Sequence, residues 1–326
     1  MAKVPYTKTA LNYPNQLQQL KDRGLRVEDD NRALHLLEKI SYYRLSGYWF
    51  PMLQMPKSAH QFKPESSFDN AFRIYCFDRE LRKLVSNEIE KIEVAIRAKM
   101  IYILSHTHGP FWYTNVALFS NPTSHNDTKA KLNAAFNRTD ELYIQNFKRK
   151  YSDPFPPCWM MFELASFGNI SKLYENLAIT HEKRQIAHEF GLDDSTFESW
   201  IHSLAYVRNL CAHHSRLWNR IMSISPQIPL TPTNSWINIT TVPSRSGLTA
   251  VNINNRTYFM LSVILYLLNT INPNNNFKLK LKKLFYQYPN IDFKALGFPL
   301  GWENEPLWNW SNVKFPFYKK LLMKLA

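Results

Sequence analysis

The stretch Ser66–Ser105, SSFDNAFRIYCFDRELRKLVSNEIEKIEVAIRAKMIYILS, decides the fold class. Ser66 and Asp69 stand at capping-box spacing, a start signal for a helix. Phe68, Phe72, Tyr75, Leu81, Leu84, Val85, Ile89, Ile92, Ile96 and Met100 then recur at intervals that keep one apolar face. Charged residues alternate on the opposite face. Gly109-Pro110 closes the segment. One helix from about 66 to 105 is predicted, too long for anything but a helical architecture.

The flanks read the same way. Gln16–Arg23 is a short amphipathic helix ended by Gly24, and Asn31–Ile40 continues in that style. Ser41–Met52 is dense in aromatics and precedes a polar loop. A polar helix is predicted over 129–151, before the rigid break Asp153–Pro157. Short helices follow near Trp159–Phe167 and Ser171–Leu177. Asp194 and Ser195 with Glu198 signal another start, with the helix running to about Ile221. Residues 223–255 are rich in Pro, Ser, Thr and Asn and read as an irregular excursion, with a short hairpin near Trp236–Val242. Arg256–Ile271 and Lys278–Tyr288 return to helix. The expectation is an all-α bundle. It divides into an N-terminal helical and aromatic segment (1–66), a central bundle (67–271) and a basic C-terminal extension (272–326).

Composition narrows the function classes. The 326 residues carry 40 Lys and Arg against 26 Asp and Glu, a formal charge of +14. Only 8 residues are Gly, and neither phosphate-binding Gly-rich pattern occurs. After residue 198 there are 14 basic and 3 acidic residues, and none from Ser199 to Ile291 is acidic. Such asymmetry points to a polyanion partner, nucleic acid or anionic membrane, for the second half. Three scattered cysteines give no disulfide framework and no zinc spacing. The N-terminus lacks the apolar run of a signal peptide, and Tyr258–Leu268 is too short to span a bilayer. A cytoplasmic protein without metal or cofactor is expected.

One segment carries chemistry: residues 204–220, LAYVRNLCAHHSRLWNR. On a continuous helix, Phe197, Trp200, Ile201, Leu204, Val207, Cys211 and Trp218 share the core face. His202, Asn209, His213, Arg216 and Arg220 would form a polar stripe opposite. Asn209 and His213 are one turn apart. Histidine moves protons near neutrality, and guanidinium groups bind phosphate in a bidentate manner. That set fits metal-free RNA cleavage, with the 2′-hydroxyl attacking the adjacent phosphate. Arg208 lies about 140° round from His213 on such a helix. His214 is an alternative base, and solvated side chains on an exposed face are the plainer reading.

The Arg208-Asn209-Leu210-Cys211-Ala212-His213 string matches the R-x4-H motif of HEPN ribonucleases. The longer RNLCAHHSRLWNR (208–220) resembles the signature of the abortive-infection proteins of the AbiD/AbiF type, the Abi-like family. Further similar blocks lie in order upstream: LKDRGL (20–25), ISYYRLSGYWFP (40–51), FDRELRKLVSNEIEKIEVAIR (77–97) and ELASFGNISKLYENL (163–177). The resemblance implies a HEPN helical bundle, a role in phage defence and RNA as ligand or substrate. It assigns catalysis to Arg208, Asn209 and His213, with His214, Arg216 and Arg220 in support. HEPN sites are usually composite. One motif in this chain therefore implies a second copy, a homodimer. Holding a specific RNA with the site latent is the alternative, and action through a protein partner is a third.

Three more features bear on RNA. Tyr43, Arg44 and Trp49 interleave rings with a cation and could stack unpaired bases, or simply plug the bundle. Lys278, Lys280, Lys282 and Lys283, with Lys319, Lys320 and Lys324, form basic clusters that suit a phosphate backbone. His106 and His108 lack nearby acids, and no metal is expected there.

Overall fold

A computed structural model describes residues 4–7, 9–244 and 249–309. Among these the chain is all-α, with thirteen α-helices and one two-stranded ribbon. It separates into two compact units. One is built from the chain up to Glu80 with Gln287–Ile291, the other from Leu81–Tyr286 and from Asp292 onward.

The first unit contains α1 (Tyr13–Asp22), α2 (Asp30–Ile40), α3 (Tyr42–Trp49) and the start of α4 (Phe68–His108). Each start has a local cause. Asn12, Asp29 and Ser41 cap α1, α2 and α3 by accepting the backbone N–H of Asn15, Arg32 and Arg44. Gly24 follows α1 at φ 86°, the left-handed turn that the sequence indicated. At the head of α4 the cap is Ser67, one residue later than expected, and it accepts from Asn70 N at 3.1 Å. Asp69 is spent instead on an ion pair with Arg32. Tyr48 donates to the buried Asp78 carboxylate at 2.8 Å.

The second unit takes the rest of α4, where Leu81, Val85, Ile89, Ile92, Ile96, Met100 and Leu104 are buried at the predicted spacing. The single helix expected over 129–151 is two, α5 (Pro122–Arg138) and α6 (Leu142–Lys150). Thr139–Glu141 separates them in extended backbone, with no Pro or Gly to announce it. Then come α7 (Cys158–Leu164), α8 (Phe167–Glu175), α9 (Thr180–Glu189) and α10 (Asp194–Ala212). The segment forming α9 is polar, which hid it from periodicity. After α10 the excursion holds β1 (Thr241–Pro243) and β2 (Ala250–Asn252), paired antiparallel and later than the hairpin predicted near 236–242.

α11 (Thr257–Ile271) is buried on every side from Thr257 to Leu268. α12 (Phe277–Gln287) and α13 (Phe293–Leu296) follow. Tyr258, Phe298, Trp302 and Trp308 pack ring against ring beside α11, and Trp308 Nε1 donates to Ser262 Oγ at 3.0 Å. Among the described residues no helix is long and apolar enough to cross a membrane.

α10 starts on Asp193, whose carboxylate accepts Thr196 N at 2.8 Å. Burial pushes this carboxyl up, but the Thr196 hydroxyl and backbone N–H groups outweigh it and hold it below its ordinary value. The Asp193→Ala variant should therefore lose about 1 kcal/mol at neutral pH. Because the folded value is depressed, the deficit is full above about pH 4 and fades as pH falls through the folded value. Urea unfolding of both proteins between pH 7 and 3 checks this.

Candidate functional site

The site is built where α10 ends. The helix stops at Ala212, nine residues short of the predicted end. His213 is the C-cap, with its N–H on Asn209 O at 2.9 Å. His214 enters the left-handed region at φ 55° and donates to Cys211 O at 3.0 Å. Ser215 N–H reaches back to Leu210 O at 2.8 Å. This pair of bonds is the Schellman closure, made here on a histidine rather than glycine.

The early stop corrects the continuous stripe. Arg216 and Arg220 do not share a helical face with His213, because the chain has turned before it reaches them. Arg220 folds back instead: Nη1 donates to Arg216 O at 3.3 Å and Nη2 to Tyr206 Oη at 3.4 Å. Tyr206 also meets Ser223 Oγ at 2.8 Å. Burial raises the Tyr206 phenol, but the Ser223 and Arg220 hydrogen bonds outweigh it and leave the phenol below its ordinary value. Tyr206 stands on α10 at positions i, i+3 and i+7 with Asn209 and His213. It belongs to this polar surface, and nothing in the sequence sets it apart from the other aromatics.

Asn209 and His213 are both exposed. Their link is the backbone bond, and neither side chain has a hydrogen-bond partner among the described residues. Arg208 is half-buried. It lies close enough to the Glu93 carboxylate on α4 for its charge to act there, together with Arg97. Arg97 is paired with Glu93 and donates to Ala165 O at 2.6 Å. Burial pushes the Glu93 carboxyl up, and Arg97 and Arg208 pull it down without cancelling the rise. Glu93 and Arg97 are thus part of the setting of the motif. In the sequence they are one of several alternating charge pairs on α4, and only the neighbouring helix singles them out.

The remaining candidates divide by position. Lys278 is half-buried and donates to the carbonyls of Leu307 and Trp308 at 3.4 and 3.0 Å, and burial lowers its pKa. Lys280 pairs with the fully buried Glu88 at 2.7 Å. Lys282 and Lys283 lie on α12, with Lys283 exposed. Lys319, Lys320 and Lys324 fall outside the described residues. In the first unit Tyr43 and Arg44 are exposed, whereas Trp49 is 4% exposed with its ring edge-on to Tyr42 at 5.2 Å. No group of three or more His, Cys, Asp or Glu that could hold a metal occurs among the described residues. His106 is bonded to Tyr102 O and His108 lies 3.3 Å from Glu182.

Over residues 35–219 the chain matches the family model described as Abi-like protein. No curated protein and no solved structure matches it.

Two variants test this geometry. His214→Ile puts a β-branched residue at φ 55° and should cost about 1–2 kcal/mol. Lys280→Ala leaves Glu88 with Lys91 as its one cation and the Asn87 amide as its other donor, and should cost about 1–3 kcal/mol, in proportion to how far the pair is shielded from water. Thermal unfolding measures both. An unchanged midpoint for His214→Ile would contradict the left-handed cap.

Proposed function

The chain belongs to the Abi-like protein family, and on that footing we propose that it is an antiphage abortive-infection protein that cuts RNA by the HEPN chemistry, without metal, as a homodimer. The observation that carries the reading is the placement of His213. It stands exposed at the end of α10, next to Asn209, and five residues after Arg208, whose charge acts on the Glu93 carboxylate of α4.

The step balances with protein groups alone. The RNA 2′-hydroxyl attacks its own phosphorus, and the new O2′–P bond forms as the P–O5′ bond breaks. One imidazole takes the 2′ proton, and a second protonates the departing O5′. The products are a 2′,3′-cyclic phosphate and a 5′-hydroxyl. Cationic guanidinium groups stabilise the charge on the phosphoryl oxygens. With one motif per chain, the second histidine is the same residue of a second copy.

α4 offers a surface for that copy. Val94, Ala98 and Tyr102 recur at four-residue spacing and are exposed, Val94 by 57% and Tyr102 by 63%. The stripe adjoins Glu93 and Arg97 on the same helix, and its exposed apolar side chains support the choice of this face for the second copy. A second reading follows from Arg208. Its charge acts on a buried carboxylate, which fits a motif held latent until RNA binds.

Purified protein should cleave single-stranded RNA in the presence of chelator and leave cyclic phosphate ends. His213→Ala should lower the rate at least a hundredfold at unchanged stability. Cleavage by that variant at the wild-type rate would sink the assignment. Val94→Asp should turn the dimer into a monomer in sedimentation and reduce cleavage at least tenfold, with the unfolding midpoint unmoved because the position is exposed.

A further inference from the structure

The first unit contains a groove that the helix-end site does not explain. It has a volume of 1030 Å³ and runs between the segment before α1, α1 itself and α3. None of its lining residues is Asp or Glu, although both types are frequent elsewhere in that unit. Arg23 enters the groove from the end of α1. Its Nη1 donates to Tyr42 Oη at 3.1 Å, and no carboxylate among the described residues pairs with it. The phenol therefore fixes the direction of the guanidinium while leaving its charge unmatched.

Two rings border the same groove in the open. Tyr43 is 89% exposed and Phe50 is 52% exposed. Tyr43 stacks on no other ring among the described residues. Beneath them Trp49 and Phe62 are buried and make a rigid floor. An exposed ring has an apolar face that costs free energy in water, and a planar partner relieves it. An unmatched guanidinium has the donors for a phosphate. Ring face, cation and absence of acid at one place are the chemistry of an unpaired nucleotide in a strand. A duplex presents no free base face, and an acidic peptide would not use the rings.

We propose that this groove holds an unpaired stretch of RNA, with one base on Tyr43 and a neighbouring phosphate on Arg23. It rests on the reading that the protein acts on RNA. It adds a holding site in a different unit from the cutting site. The strand is thereby selected for being single before it is cut.

The test uses the full chain carrying His213→Ala, so that RNA stays intact, and a fluorescein-labelled 12-mer oligouridylate read by anisotropy. Adding Tyr43→Ala should weaken binding by about tenfold, and Tyr43→Phe should keep it. Arg23→Gln should make the log–log salt slope shallower by about 0.7, one single-strand phosphate. A duplex of the same length and uridine monophosphate should each bind at least tenfold more weakly than the oligomer. If the parent binds the oligomer and both groove variants bind equally well, the groove proposal alone is overturned. If the parent binds no RNA, the RNA reading falls and the groove proposal with it. A monophosphate that matches the oligomer overturns the strand in favour of a free nucleotide.

Discussion

A helix that is apolar all round must have protein on every side, and α11 imposes that demand on the second unit. Twelve consecutive residues, Thr257 to Leu268, are buried. At about 25 cal/mol per Å2 of apolar surface, leaving any side of such a helix in water would be prohibitive. The surrounding chain is accordingly committed to it. Tyr266 donates to Gly191 O at 2.7 Å, just ahead of α10, and Thr257 Oγ1 donates to Leu217 O at 2.8 Å, just beyond the end of α10. One helix thus pins the chain on both sides of the motif. The turn at His213–Ser215 is what the backbone between those two anchors does to meet both. The residues after it are tied in turn, with Met222 N–H on Asn255 O and Gln227 N–H on Ser199 Oγ, each at 2.8 Å.

That turn decides which side chains form the polar surface. Had α10 continued to Ile221, a ladder of cations would have flanked His213. With the chain reversed, Arg220 and Tyr206 share hydrogen bonds of their own, and His213 occupies the last position of the helix. Carbonyl groups unsatisfied by the helix gather at its C-terminal end, and the helix dipole places partial negative charge there.

Legibility in the sequence followed the strength of the apolar pattern. α4 and α11 were plain, because burial along one face or all faces leaves a periodic trace. The stop of α10 was not, because the left-handed residue is His214 and a histidine carries no signal comparable to Gly. The Thr139–Glu141 break and the polar α9 failed for the same reason: local composition did not distinguish them from their neighbours. The pattern of Arg208, Asn209 and His213 was readable in the sequence. Its setting was not, since Glu93 and Arg97 are an ordinary i, i+4 pair until the charge of Arg208 also acts on Glu93.

The charge asymmetry is also altered by the fold. The acid-free stretch suggested a basic face, yet several of its cations turn inward. Arg256 donates to Ala295 O at 2.9 Å, and burial lowers its pKa. Lys278 is taken up by two carbonyls and Lys280 by Glu88. Each of these gives up hydration for a fixed partner, so none is as available to an external phosphate as the net charge implies. Affinity for a polyanion depends on cations that release counterions from it, not on formal charge. An arginine with no carboxylate partner among the described residues, such as Arg23 in a groove without acids, therefore counts for more than a cluster of lysines already spent on the protein. Formal charge suggested a class of partner, and the pairing of each cation decides which of them could meet such a partner.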